Sequence, residues 1–122
     1  MTKIFEATVL AVGPEAPGMI TDANMLILFG EEAPDDLAEY CYKIDNKNVT
    51  GPIQVGGRLV VDGVNCAITA VGNVVEKNLQ GLGHITVSLD GSEQGSLPGT
   101  LHVAPQTEIK LKEGSVIQLF DS

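Results

Sequence analysis

His84-Ile85-Thr86-Val87-Ser88-Leu89 alternates polar and apolar side chains without a break. Successive side chains of an extended strand point to opposite faces. Ile85, Val87 and Leu89 are therefore expected to face a core, and His84, Thr86 and Ser88 to face away from it. The same texture recurs along the chain, rich in Val, Ile, Leu and Thr, and predicts strands over residues 3–12, 25–29, 40–44, 58–61, 65–71, 84–89, 99–103 and 116–120. The first of these alternates imperfectly, which allows burial on both faces or a bulge. The 14 glycines and 6 prolines are spread between the runs, as turns between short strands require. Asp62-Gly63 between Val61 and Val64 is a hairpin signal, Val55-Gly56-Gly57-Arg58 is a second turn, and Asp90-Gly91 leads into a polar loop over 92–96.

Helical signals are short. Pro34 followed by Asp35 and Asp36 suits a first helical turn over 34–40, and residues 74–79 suit another, ended by Gly81. No long amphipathic helix is available to cover an open sheet. The expected fold is all-β: a single barrel-like domain over 1–122, of about seven or eight short strands with one or two short helical turns. No internal repeat, low-complexity tract or interdomain linker is apparent.

The charge balance narrows the function. Lys and Arg total 7 against 16 Asp and Glu, a net charge of −9. Such a surface repels nucleic-acid phosphates and anionic lipid headgroups. The start of the chain lacks the pattern of a signal peptide, no run reaches the length of a membrane span, and a cytoplasmic location is expected. Cys41 and Cys66 fit no redox or zinc spacing and read as small buried side chains. The glycine groups around 51–57 and 81–83 lack the remaining residues of a P-loop or dinucleotide fingerprint. The acidic run Asp35, Asp36, Glu39 lacks the spacing of a calcium loop. No cofactor or metal is expected.

His84 and His102 are the two histidines. His84 follows Gly81-Leu82-Gly83, and these small residues leave its ring approachable. A neutral imidazole has a free lone pair near neutral pH, which suits a nucleophile that must meet another protein's phosphoryl group. His102 shares the polar face of its strand with Thr100 and Ala104.

Five segments in order then carry a resemblance: Met25-Leu26-Ile27-Leu28-Phe29, Ala33-Pro34-Asp35-Asp36-Leu37-Ala38-Glu39-Tyr40-Cys41, Ala67-Ile68-Thr69-Ala70-Val71-Gly72, Asn78-Leu79-Gln80-Gly81-Leu82-Gly83-His84-Ile85-Thr86 and Pro98-Gly99-Thr100-Leu101-His102-Val103-Ala104. The chain resembles the glucitol/sorbitol-specific enzyme IIA component of the bacterial phosphoenolpyruvate-dependent sugar phosphotransferase system. The resemblance implies an all-β phosphocarrier that accepts a phosphoryl group from the histidine of phospho-HPr on a histidine of its own. It implies transfer to a cysteine of the IIB component, with the membrane reached only through the IIB/IIC permease. Members of the family carry histidines just after the Glu-Tyr-Cys segment, where the acceptor has been placed. Here that segment continues Tyr42-Lys43-Ile44-Asp45-Asn46 and holds none. The acceptor is then expected at His84, with His102 as the alternative. His102, Thr86, Thr100 and backbone N–H groups near Gly83 are expected to orient the ring or bind the phosphate. A carrier that has lost its acceptor and serves as a regulator or scaffold is the competing reading.

Overall fold

The computed structural model describes residues 2–95 and 97–121. Ser96, the end of the polar loop expected over 92–96, lies outside the described residues. The strands are β1 Lys3–Val12, β2 Met25–Phe29, β3 Tyr42–Ile44, β4 Arg58–Val61, β5 Val64–Val71, β6 Ile85–Ser88, β7 Thr100–Pro105 and β8 Val116–Phe120. They close into a barrel in the order β1-β3-β2-β6-β7-β5-β4-β8, with β8 returning to β1. Pairs β2/β3 and β6/β7 are parallel and the rest are antiparallel. The core is the barrel interior, where Leu26, Leu28, Tyr42, Ile44, Ile85, Val87, Leu101 and Val103 are each at most 1% exposed. Each large apolar side chain buried so completely stabilises the fold by about 1.5–3 kcal/mol relative to exposure. The alternation of β6 holds: Ile85, Val87 and Leu89 are buried, while His84, Thr86 and Ser88 are half-buried on the outside.

The eight strands and the barrel agree with the expectation, and differences fall at the ends of elements. Residues 40 and 41 belong to the turn before β3, because Tyr40 and Cys41 donate back to Leu37 and Ala38. The irregularity of β1 is a bulge between Val9 and Ala11. Asp62 and Gly63 both have positive φ, 47° and 85°, and join β4 to β5 in a two-residue turn.

Among the described residues three helices are present: α1 Ala16–Ala23, α2 Asp35–Ala38 and α3 Val75–Leu82. Sequence reading missed α1 because Pro17-Gly18 reads as a turn. Proline is tolerated in the first helical turn, where its missing N–H has no partner to lose, and here it occupies that turn. The expected end of α3 at Gly81 is corrected to Gly83. That residue takes φ 69° and donates to the Leu79 carbonyl, and a Cβ on it would lie 2.8 Å from the Gly30 nitrogen.

An internal repeat is present, contrary to the sequence reading. The elements β1, α1, β2 and β3 reappear 59 positions later as β5, α3, β6 and β7, only α2 having no counterpart, with no insertion between Ala11 and Ile44 relative to Ala70 and Val103. In each unit the last strand inserts between the first two. The bulge of β1 recurs in β5 between Ile68 and Ala70. Gly13 N–H donates to Cys41 O, and Gly72 N–H to Thr100 O. Glu15 donates to Glu39 O, and Val74 to Pro98 O. The left-handed helix ends Asn24 and Gly83 correspond as well. The units meet across the antiparallel β2/β6 pair. The sequence signal is only Ala11-Val12-Gly13 against Ala70-Val71-Gly72, because backbone hydrogen bonds rather than side chains carry the symmetry.

Candidate functional site

The repeat places two equivalent rows of side chains on the barrel's outer surface, because directly paired residues on adjacent strands point the same way. One row runs Ala11, Lys43, Phe29, with His84 next across β2 and β6. The other runs Ala70, His102, Ser88, Met25. Each histidine thus occupies a different row, in non-equivalent positions.

His84 sits between the left-handed cap of α3 and the start of β6, its N–H donating to the Asn78 carbonyl. Its ring lies against Phe29, centroids 4.4 Å apart and planes tilted by 41°. Nδ1 is buried without a hydrogen-bond partner. Burial lowers the pKa of the ring below the ordinary histidine value, and the Leu28 carbonyl, which favours the protonated form, offsets this only in part. The ring is therefore neutral at neutral pH, with a nucleophilic lone pair available.

His102 has a different setting. It is 3% exposed, and its Nδ1 is 2.9 Å from Asp90 Oδ1. This contact is the main reason the Asp90 carboxyl is held below the usual range. Sequence reading saw Asp90 only as a turn residue and missed that it anchors His102. The Thr69 hydroxyl on β5 is shared between the carbonyls of His102 and Ser92, tying β7 to the loop that precedes it.

The two rings are not brought together. His102 pairs with Ser88, four residues along β6 from His84, a separation of about 13 Å at ~3.3 Å per residue. The expectation that His102 orients the His84 imidazole is corrected accordingly, since its Nδ1 is engaged by Asp90. Thr86 and Thr100 face each other between the two histidine rows, with Thr100 buried. Gly83 N–H is consumed by the α3 cap. Ile44, in the segment after Cys41 that holds no histidine, is 1% exposed and part of the core.

The surroundings of His84 combine apolar and charged surface. On one side a groove of about 430 Å³ is lined by Val12, Phe29, Ala33, Glu39, Cys41 and Lys43. A second cleft of about 180 Å³ lies between Gly30–Glu32, Ile44–Lys47 and Gly81–Leu82, where Lys47 Nζ donates to Gly81 O at 3.1 Å. Leu37, Tyr40 and Leu82 are large apolar side chains exposed along these segments. The stretch 31–39 carries Glu31, Glu32, Asp35, Asp36 and Glu39. Cys41 and Cys66 are buried free thiols, both pushed up to about 11 by burial, which makes them poor nucleophiles. Among the described residues no three His, Cys, Asp or Glu side chains converge on a point that could hold a metal ion, and no helix is long and apolar enough to cross a membrane.

Comparison with known proteins adds a family. Residues 4–118 match the model of the PTS system glucitol/sorbitol-specific IIA component. The glucitol/sorbitol-specific EIIA components of Shigella flexneri and Escherichia coli are each 37% identical over 118 residues, which span 97% of this chain and 95% of theirs. The crystal structure of a PTS system IIA component from Enterococcus faecalis superposes with a TM-score of 0.81 at 27% identity, covering 96% of this chain and all of that one.

Proposed function

Since the chain belongs to the family of glucitol/sorbitol-specific IIA components of the phosphotransferase system, we propose that it is a cytoplasmic phosphocarrier, a single domain over 1–122, whose acceptor is His84. It takes a phosphoryl group from phospho-HPr and delivers it to the IIB component for uptake and phosphorylation of glucitol. The observation that carries the choice is the contrast between the two histidines. His102 is enclosed and held by Asp90, whereas His84 is a half-buried ring with a lowered pKa. A side chain that must meet a phosphoryl group on another protein needs a surface position.

Because Nδ1 is enclosed, Nε2 is the reacting atom. Its lone pair forms the new N–P bond. The bond from phosphorus to the donor's ring nitrogen breaks, and that electron pair stays on the donor ring. In the second transfer the sulfur of the IIB cysteine forms the S–P bond, and the N–P electron pair returns to Nε2. The exposed Leu37, Tyr40 and Leu82 supply apolar docking surface, and the acids of 31–39 favour partners with basic groups around their own active residues.

The test is phosphorylation with phosphoenolpyruvate, enzyme I and HPr, with acid-labile phosphate mapped by mass spectrometry. Wild type and His102→Ala should carry one phosphate, and His84→Ala none. Phosphate retained by folded His84→Ala would refute the assignment. No phosphate on folded wild type, with active upstream proteins, would favour a scaffold or regulator, the reading to which the buried Ile44 lends support.

A further inference from the structure

We propose that Lys43 is the cation that receives the negative charge of the phosphoryl group on His84, an inference that rests on His84 being the acceptor. Lys43 pairs with Phe29 across β3 and β2, and Phe29 carries the His84 ring against it on the far side. The three side chains stand in one outward row. Lys43 and His84 are thus two strand spacings apart, roughly 10 Å between backbones. The flexible four-carbon stem of a lysine, reaching over the edge of Phe29, and an imidazole bearing a phosphoryl group on Nε2 close that distance from both sides.

Two features single out this lysine. The chain has 7 basic residues against 16 acidic ones, so a cation beside the proposed acceptor is not a matter of abundance. Lys43 is also half-buried in the wall of the apolar groove, and its side chain makes no ion pair or hydrogen bond among the described residues. No bridge holds its ammonium, so an arriving dianion would meet an available cation. Asp35 and Glu39 line the same groove, and Glu31 and Glu32 border the neighbouring cleft. Without Lys43 a phosphoryl group would face carboxylates. Lys47, by contrast, is already bonded to the Gly81 carbonyl.

The repeat supports the same assignment. Lys43 is the counterpart of His102, and Glu31 that of Asp90. In the second unit the basic group is held at 2.9 Å by its acid. In the first, Lys43 and Glu31 form no such bridge, which leaves the lysine charge available to a ligand.

The experiment compares wild type, Lys43→Met, Lys43→Gln and Lys43→Arg, charged with limiting phospho-HPr. The fraction phosphorylated at equilibrium is measured, and the phosphoryl group's own ionisation is followed by phosphorus NMR. Loss of a charge-assisted contact should shift the transfer equilibrium about tenfold toward the donor in Lys43→Met and Lys43→Gln. It should also move the phosphoryl titration to higher pH, which a merely structural role would not do. Lys43→Arg should stay near wild type in both readouts. If His84 is phosphorylated and all variants match wild type, the role of Lys43 is refuted and that of His84 stands. If wild type carries no phosphate on His84, both fall.

Discussion

The first unit of the barrel, β1 to β3, and the second, β5 to β7, share a backbone and differ in the chemistry of their outer rows. The first joins Lys43 to Phe29, and His84 lies against that phenyl ring. The second places the enclosed His102 beside Ser88 and Met25, and anchors it to Asp90. A hydrogen-bonded, buried histidine fastens a loop to a strand. A half-buried histidine whose Nδ1 is enclosed leaves Nε2 for the proposed transfer. One backbone plan thus carries a braced histidine in one row and the proposed acceptor in the other, and side-chain burial distinguishes them.

The backbone half of this comparison is the easiest to break. A Cβ on Gly13 would lie 2.2 Å from Ala38 O, and one on Gly72 would lie 2.1 Å from Pro98 O. Gly13→Ala and Gly72→Ala should therefore each cost about 3 kcal/mol or more, measured by chemical denaturation. A large loss in only one would show that the two units do not depend equally on the shared close approach.

The side-chain half is sharpened by His102. Because it is buried and paired, His102→Ala should cost about 2 kcal/mol of stability. Asp90→Asn should cost less, because the carboxylate is largely exposed. Both variants should still take up phosphate at His84 below their melting temperatures. Loss of uptake in a folded Asp90→Asn protein would mean that the second row contributes to transfer.

The smallest effect concerns pH. The folded pKa of His84 is lowered from a value near ~6.5 in the unfolded chain, so below that pH the unfolded chain binds more protons. Stability contributed by the neutral ring is fully present above ~6.5. It is lost progressively as pH falls toward the folded pKa, and the loss levels off below it. His84→Gln should flatten that part of the stability curve, followed by denaturation midpoints against pH. The change should be modest because the ring is only half-buried. An unchanged profile would show that the ring does not titrate differently in the two states.

Legibility differed between fold and site. The alternation of β6 and the Asp62-Gly63 turn were readable because each is a local pattern with one low-energy backbone answer. Helix α1 was not, since Pro17-Gly18 signals a turn unless the proline falls in a first helical turn. The candidate histidines were readable by their scarcity. Asp90 and Lys43 were not, because neither is near its partner in any local pattern. The repeat would have pointed from His102 to Lys43, but three shared residues at the unit's start are too few to reveal it.

By itself, the sequence determined the strands, most turns, the all-β class and the pair of histidines from which an acceptor could be drawn. It does so because period-two alternation, turn residues and composition act over a few positions. Tertiary structure alone decided that the strands close with β3 between β1 and β2 and β7 between β5 and β6. That order sets Lys43 in the row of Phe29 and His84, sends Ile44 into the core and buries His102 on Asp90. Whether a histidine is a brace or a nucleophile depends on desolvation and on which groups surround its nitrogens. Those are properties of chain segments brought together by closure of the barrel.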